Sequence, residues 1–142
     1  MMDGEFQGGC YCGALRYRVS AAPVLKAECH CRACQHISGG GPNYFMLIPP
    51  EGFAYVKGEP KQFKRPDLPN GVTRDFCAAC GTHILSRRPG LPQLVLKVGT
   101  LDDPEVYGGP KMAIFCEEKA GFHIVPDGIP AFGADALRFT FA

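Results

Sequence analysis

Seven of the chain's eight cysteines fall into three tight groups. These are Cys10-Tyr11-Cys12-Gly13, Cys29-His30-Cys31-Arg32-Ala33-Cys34 and Cys77-Ala78-Ala79-Cys80-Gly81. Thiols at C-x-C and C-x-x-C spacing let one short turn present several soft ligands to a single ion, and zinc takes four such ligands in a tetrahedron. Clustered cysteines of this kind point to metal or redox chemistry in a reducing compartment, and to a disulfide framework only in an oxidising one. A redox reading of Cys31 and Cys34 is the weaker, because the usual βαβ setting of a redox C-x-x-C is missing.

Cys77 and Cys80 supply two ligands and need a partner pair. Cys10 and Cys12 provide it, and each pair is followed by a glycine, Gly13 or Gly81, that frees the backbone for a tight turn. Together they make a closed Cys₄ zinc site with a structural role. Cys29, Cys31 and Cys34 differ, since three ligands from one loop leave the fourth position to water or substrate. Three thiolates leave Zn²⁺ with a net charge of −1, so this centre acidifies water weakly and prefers a fourth sulfur donor. A substrate thiol therefore suits it better than a hydrolytic water. The competing reading closes this site with His30, His36, His83 or Cys116. Arg32, inside the loop, can pair with a substrate carboxylate or offset the anionic centre. Ser38, Gly39, Gly40 and Gly41 can bring backbone amides to a ligand or serve as an ordinary connection. Cys116 reads as a buried free thiol in an apolar strand, and His83 and His123 as locally satisfied histidines.

The elements that must hold these groups are short. Alternation or compact apolar runs predict strands at Ala14–Val19, Asn43–Ile48, Phe53–Lys57, Gln62–Lys64, Val72–Phe76, Thr82–Ser86, Gln93–Val98, Ala113–Cys116 and Leu137–Phe141. Helical turns are expected only at Arg32–His36 and Thr100–Pro104. With 18 glycines and 13 prolines as punctuation, the 142 residues read as one mainly β domain, residues 1–142. A net charge of +1 gives no electrostatic reason for nucleic acid or an anionic membrane as partner. No apolar run is long enough to span a bilayer. The opening Met-Met-Asp-Gly-Glu-Phe-Gln lacks the basic head and apolar stretch of an export signal, so a cytoplasmic location is expected.

From Gly8 to about Phe132, the joint order of the three cysteine groups resembles the glutathione-dependent formaldehyde-activating enzyme family, also called the centromere protein V / formaldehyde-activating domain family. The resemblance implies a small zinc-clasped β-sheet domain akin to methionine sulfoxide reductase B (the β-tent fold). It implies two zinc ions per chain, a structural one on Cys10, Cys12, Cys77 and Cys80 and a catalytic one on Cys29, Cys31 and Cys34. The implied activity is that of a carbon–sulfur lyase, an S-hydroxymethylglutathione synthase that joins glutathione to formaldehyde. Its partners would be a small-molecule thiol and an aldehyde. On the enzyme reading, Arg32 and the loop amides of Ser38, Gly39, Gly40 and Gly41 are the residues placed to orient the bound substrate. The alternative is a zinc-shaped protein-interaction module without turnover.

Overall fold

The computed structural model describes residues 5–133; the strand expected at Leu137–Phe141 lies outside them. Ten strands form: β1 (Phe6–Gly9), β2 (Arg16–Val19), β3 (Leu25–Cys29), β4 (Asn43–Ile48), β5 (Phe53–Lys57), β6 (Lys61–Phe63), β7 (Thr73–Phe76), β8 (His83–Arg87), β9 (Leu94–Lys97) and β10 (Ala113–Ile114). One short helix, α1 (Arg32–Ser38), follows β3. The protein is mainly β, as its composition and turn spacing predict.

Two sheets divide these strands. A three-stranded antiparallel sheet has the order β1-β2-β5, and a seven-stranded sheet has the order β10-β3-β4-β9-β8-β7-β6. Every pair in the larger sheet is antiparallel except β10 against β3. β4 shows how one strand serves two cores. Successive side chains point to opposite faces, so Met46 and Ile48 join Tyr17, Val19, Ile84, Leu85 and Leu96 between the sheets. Phe45 and Leu47 join Ala27, Cys29 and Ile114 on the other face. Met46, Ile48, Ile84, Leu85 and Leu96 are wholly buried, each contributing on the order of 2 kcal/mol.

Polar links fasten one sheet to the other. Tyr17 Oη lies 2.7 Å from Thr100 Oγ1, and Tyr55 on β5 donates to Asp75 on β7 at 2.8 Å. Gly8 permits a close approach, since a Cβ there would stand 2.3 Å from the Thr100 carbonyl oxygen and from Tyr17 Oη.

Three departures from the sequence expectations have local causes. β1 and β3 form where none was expected. Phe6-Gln7-Gly8-Gly9 shows too little hydrophobic alternation, and Leu25-Lys26-Ala27-Glu28-Cys29 hides a wholly buried glutamate at Glu28. The strand expected over Ala113–Cys116 stops at Ile114. Phe115 adopts φ 55°, a left-handed conformation in which a non-glycine residue cannot continue a strand. Cys116 therefore opens a 3₁₀ turn, Cys116–Glu118, and is half-buried there. At Thr100–Pro104 two 3₁₀ turns flank the expected segment, Val98–Thr100 and Pro104–Val106. No helix among the described residues is long and apolar enough to cross a membrane.

Candidate metal centres and the adjoining cavity

The β1–β2 turn carries Cys10 and Cys12, and the β7–β8 turn carries Cys77 and Cys80. The fold brings the four sulfurs within 4.8 Å of one another. Cys12 Sγ lies 3.7 Å from Cys10 Sγ and 3.8 Å from Cys77 Sγ. Four sulfurs at a zinc–sulfur distance of about 2.3 Å sit about 3.8 Å apart along each tetrahedral edge, whereas a disulfide needs about 2.05 Å. The donor set thus fits a tetrahedral ion, and all eight cysteines are free of disulfides. Both turns close in the expected way. Gly13 and Gly81 take φ 84° and 80°, and their amides donate to the Cys10 and Cys77 carbonyls at 3.2 and 2.8 Å. Backbone amides also point at sulfur, Leu15 to Cys10 at 3.2 Å and Cys80 to Cys77 at 3.4 Å. The Thr82 hydroxyl and amide draw the Cys80 thiol down to about 5. Cys10 and Cys77 are buried in the inter-sheet core, while Cys12 faces solvent.

Cys29 ends β3, Cys31 caps α1, and Cys34 lies one turn into the helix. Their sulfurs also fall within 4.8 Å of one another. The Cys34 amide donates to Cys31 Sγ at 3.3 Å, repeating the Cys77–Cys80 turn. No histidine, carboxylate or further cysteine among the described residues joins this group, and a metal held here would have three ligands from them. The three sulfurs do not ionise alike. Hydrogen bonds from the Cys29 and Cys34 thiols, with Arg74 nearby, hold Cys31 well below the usual thiol range. The bond to Cys31, the bond to Cys34 and burial push Cys29 up. Mutual repulsion thus keeps an ion-free cluster from carrying three charges, and a divalent cation removes that obstacle.

The loop is fastened from behind. Gln35 Nε2 donates to the carbonyls of His30 and Glu118, both at 2.9 Å. The Arg32 amide donates to Glu118 Oε1 at 2.8 Å, and its guanidinium to Gln35 Oε1. His30 lies outside the sulfur group. Its Nε2 donates to Glu28 Oε2 at 2.5 Å, and both side chains are fully buried. His30 Nδ1 and Glu28 Oε1 find no partner among the described residues. His36 lies 3.5 Å from the Arg32 guanidinium. His123 is satisfied, but only half locally: its Nδ1 accepts from the Ala120 amide at 2.9 Å, while its Nε2 donates to the carbonyl of remote Gly40, in the turn that ends α1, at 2.6 Å.

The three sulfurs line a cavity of about 520 Å³. Its wall is mostly apolar, including Phe45, Leu47, Leu91, Val95, Ile114 and Phe115, with Asn43, Asn70, Arg74, Ser86 and Arg88 supplying polar groups. Arg32, Ser38, Gly39 and Gly40 do not line it; they lie on α1 and the turn that ends it, where Gly39 has φ 89°. Behind the wall, Lys97 Nζ donates to Asn43 Oδ1 at 2.8 Å. Burial lowers the Lys97 pKa to about 8, opposed by the sulfurs of the neighbouring cluster, Cys34 foremost. Lys97, Arg74 and Arg88 have no sequence signature as a set, because three separate segments deliver them.

A mainly β scaffold with a four-cysteine clasp and a three-cysteine cluster facing a cavity defines a class of small proteins able to hold two metal ions. Sequence comparison narrows that class. The profile of the glutathione-dependent formaldehyde-activating enzyme family matches residues 5–118, and the chain belongs to that family. A Halomonas elongata protein carrying the same description is 32% identical over 95 residues, which cover 63% of this chain and 60% of that protein. The chain is thus matched to less than two thirds of that relative's length. A crystal structure of a Rhodobacter sphaeroides protein shares the fold, with a TM-score of 0.57 at 16% identity, covering 88% of this chain and 98% of the other.

Proposed function

We propose that this protein is a zinc-dependent enzyme that adds a thiol to a small aldehyde, with Cys29, Cys31 and Cys34 as the catalytic metal ligands and Cys10, Cys12, Cys77 and Cys80 as the structural ones. One observation carries the reading: three convergent sulfurs stand on the wall of a cavity and no fourth side chain among the described residues completes their set. The family and the Halomonas elongata relative are both described by glutathione-dependent formaldehyde activation, which supports glutathione and formaldehyde as the first pair to test.

Zinc bound by the three thiolates would supply a soft Lewis acid that keeps a thiol substrate ionised near neutral pH. The chain's own groups do the rest. Lys97 and Arg74 place positive charge beside the cluster, which offsets the charge added by a substrate thiolate in a site partly shielded from water. The apolar wall limits water at the reacting carbonyl. The thiolate sulfur forms a bond to the aldehyde carbon, the carbonyl π pair moves onto oxygen, and the oxygen takes a proton from solvent. The reverse reaction breaks the same carbon–sulfur bond, which is the basis of the lyase class.

The test is adduct formation from glutathione and formaldehyde by zinc-loaded protein, followed by NMR against the spontaneous reaction. Acceleration that disappears in Cys34→Ser supports the reading. A rate equal to the spontaneous one removes this substrate pair.

A further inference from the structure

The cavity beside Cys29, Cys31 and Cys34 is far larger than formaldehyde needs, and its wall is wrong for a wholly polar occupant. Leu91, Val95 and Phe115 remain only half-buried on it, although they pack against the buried cluster of Phe45, Leu47 and Ile114. Glutathione has no apolar side chain to lay against them. Arg74 and Arg88 line the same cavity. Neither takes part in an ion pair among the described residues, whereas Arg16, Arg65 and Arg87 each have an aspartate partner. Among the described residues the Arg74 guanidinium makes a long contact of 3.5 Å to Ser86 Oγ and stands near the Cys31 sulfur, with no carboxylate paired to it. Two guanidiniums without carboxylates, set in an apolar wall, complement an anion whose body is apolar.

We propose that the cavity binds an amphipathic organic acid, its aliphatic or aromatic body against Phe45, Leu91, Val95 and Phe115 and its carboxylate on Arg74 and Arg88. Resting on the enzyme reading above, this makes the carboxylate-bearing thiol or aldehyde the specific substrate of the three-cysteine site.

Probes without sulfur separate the two readings. Binding of 4-phenylbutanoate and of its neutral analogue 4-phenylbutan-1-ol is measured by calorimetry, on reduced protein with and without zinc. The acid is expected to bind about tenfold more tightly than the alcohol, the scale of a charge-assisted hydrogen bond. Arg88→Gln lies in an exposed turn after β8 and leaves the strands untouched; it and Arg74→Gln should each erase most of that preference. Leu91→Asn should weaken both probes alike. Equal affinity for acid and alcohol, no binding of either, or a preference unchanged in both arginine variants would overturn the proposal. A second assay compares 6-mercaptohexanoate with 6-mercaptohexan-1-ol as the thiol added to formaldehyde. Acid preference in binding with no thiol accelerated leaves the cavity assignment standing and removes the enzyme reading. Acceleration of glutathione without acid preference does the reverse.

Discussion

Cys31 receives hydrogen bonds from two thiols and one amide, and its neighbours cannot share its charge unless a cation joins them. Cys34→Ser should therefore lose one equivalent of zinc while the far-ultraviolet spectrum is kept, whereas Cys77→Ser should lose both the other equivalent and the folded spectrum. Metal content by mass spectrometry beside circular dichroism reads the two. Lys97→Met leaves every sulfur in place, and on the proposed mechanism it should lower kcat/KM about tenfold at unchanged zinc content. His83 offers a pH test. Burial, with Lys97 and Arg74 nearby, depresses its pKa to about 3. The unfolded chain thus binds the proton first, and the stability His83 supplies is complete above about pH 6.5 and lost as pH falls toward 3. Between pH 7.5 and 5.0 the wild type should lose about 2 kcal/mol relative to His83→Gln, measured as a difference in urea unfolding so that common groups cancel. At this scale the cysteines were legible because metal turns are local, with ligands two or three positions apart. Glu28, Asp75, Lys97 and the two cavity arginines were not, because each acquires its meaning from partners brought by distant strands.

Asp75 shows what one such residue does for the elements around it. It is fully buried and accepts from Tyr55 of β5 at 2.8 Å, Gln62 of β6 at 2.9 Å and Arg87 of β8 at 3.0 Å. One carboxylate thus joins the smaller sheet to three strands at one end of the larger one. Removing it leaves buried donors unpaired, and Asp75→Ala should cost about 3 kcal/mol, the lower end for a broken buried pair because Arg87 is half-exposed. Urea unfolding checks this, and Asp75→Asn should recover part of the loss. Seven expected strands, β2, β4, β5, β6, β7, β8 and β9, form within a residue or two of their sequence bounds, since alternation and turn residues agree there. β1 and β3 escaped notice for opposite reasons: glycines dilute the first, and a buried glutamate disguises the second. Their pairing partners, β2 and β4, supply the missing information through hydrogen bonds between remote segments.

For the molecule as a whole, the four-cysteine group brings the β1–β2 turn beside the β7–β8 turn, and an ion held there would pin one sheet against the other. On the proposed structural zinc site, chelating zinc from this clasp should lower the Tm by more than about 10 °C, because metal binding there would be part of the folding free energy. Emptying only the three-cysteine cluster should shift it far less, and calorimetry of Cys34→Ser against wild type separates the contributions. The two clusters also differ in how their metal can leave. The clasp draws its cysteines from two hairpins and has two sulfurs sunk in the core, so an ion bound there would be trapped until the sheets part. The other cluster comes from one short segment and opens onto a cavity. With zinc in both, the first ion would be acquired once in the protein's lifetime, while the second would exchange with whatever the surroundings supply. The folded population would then stay constant through metal shortage, and only its working fraction would rise and fall with the zinc on offer.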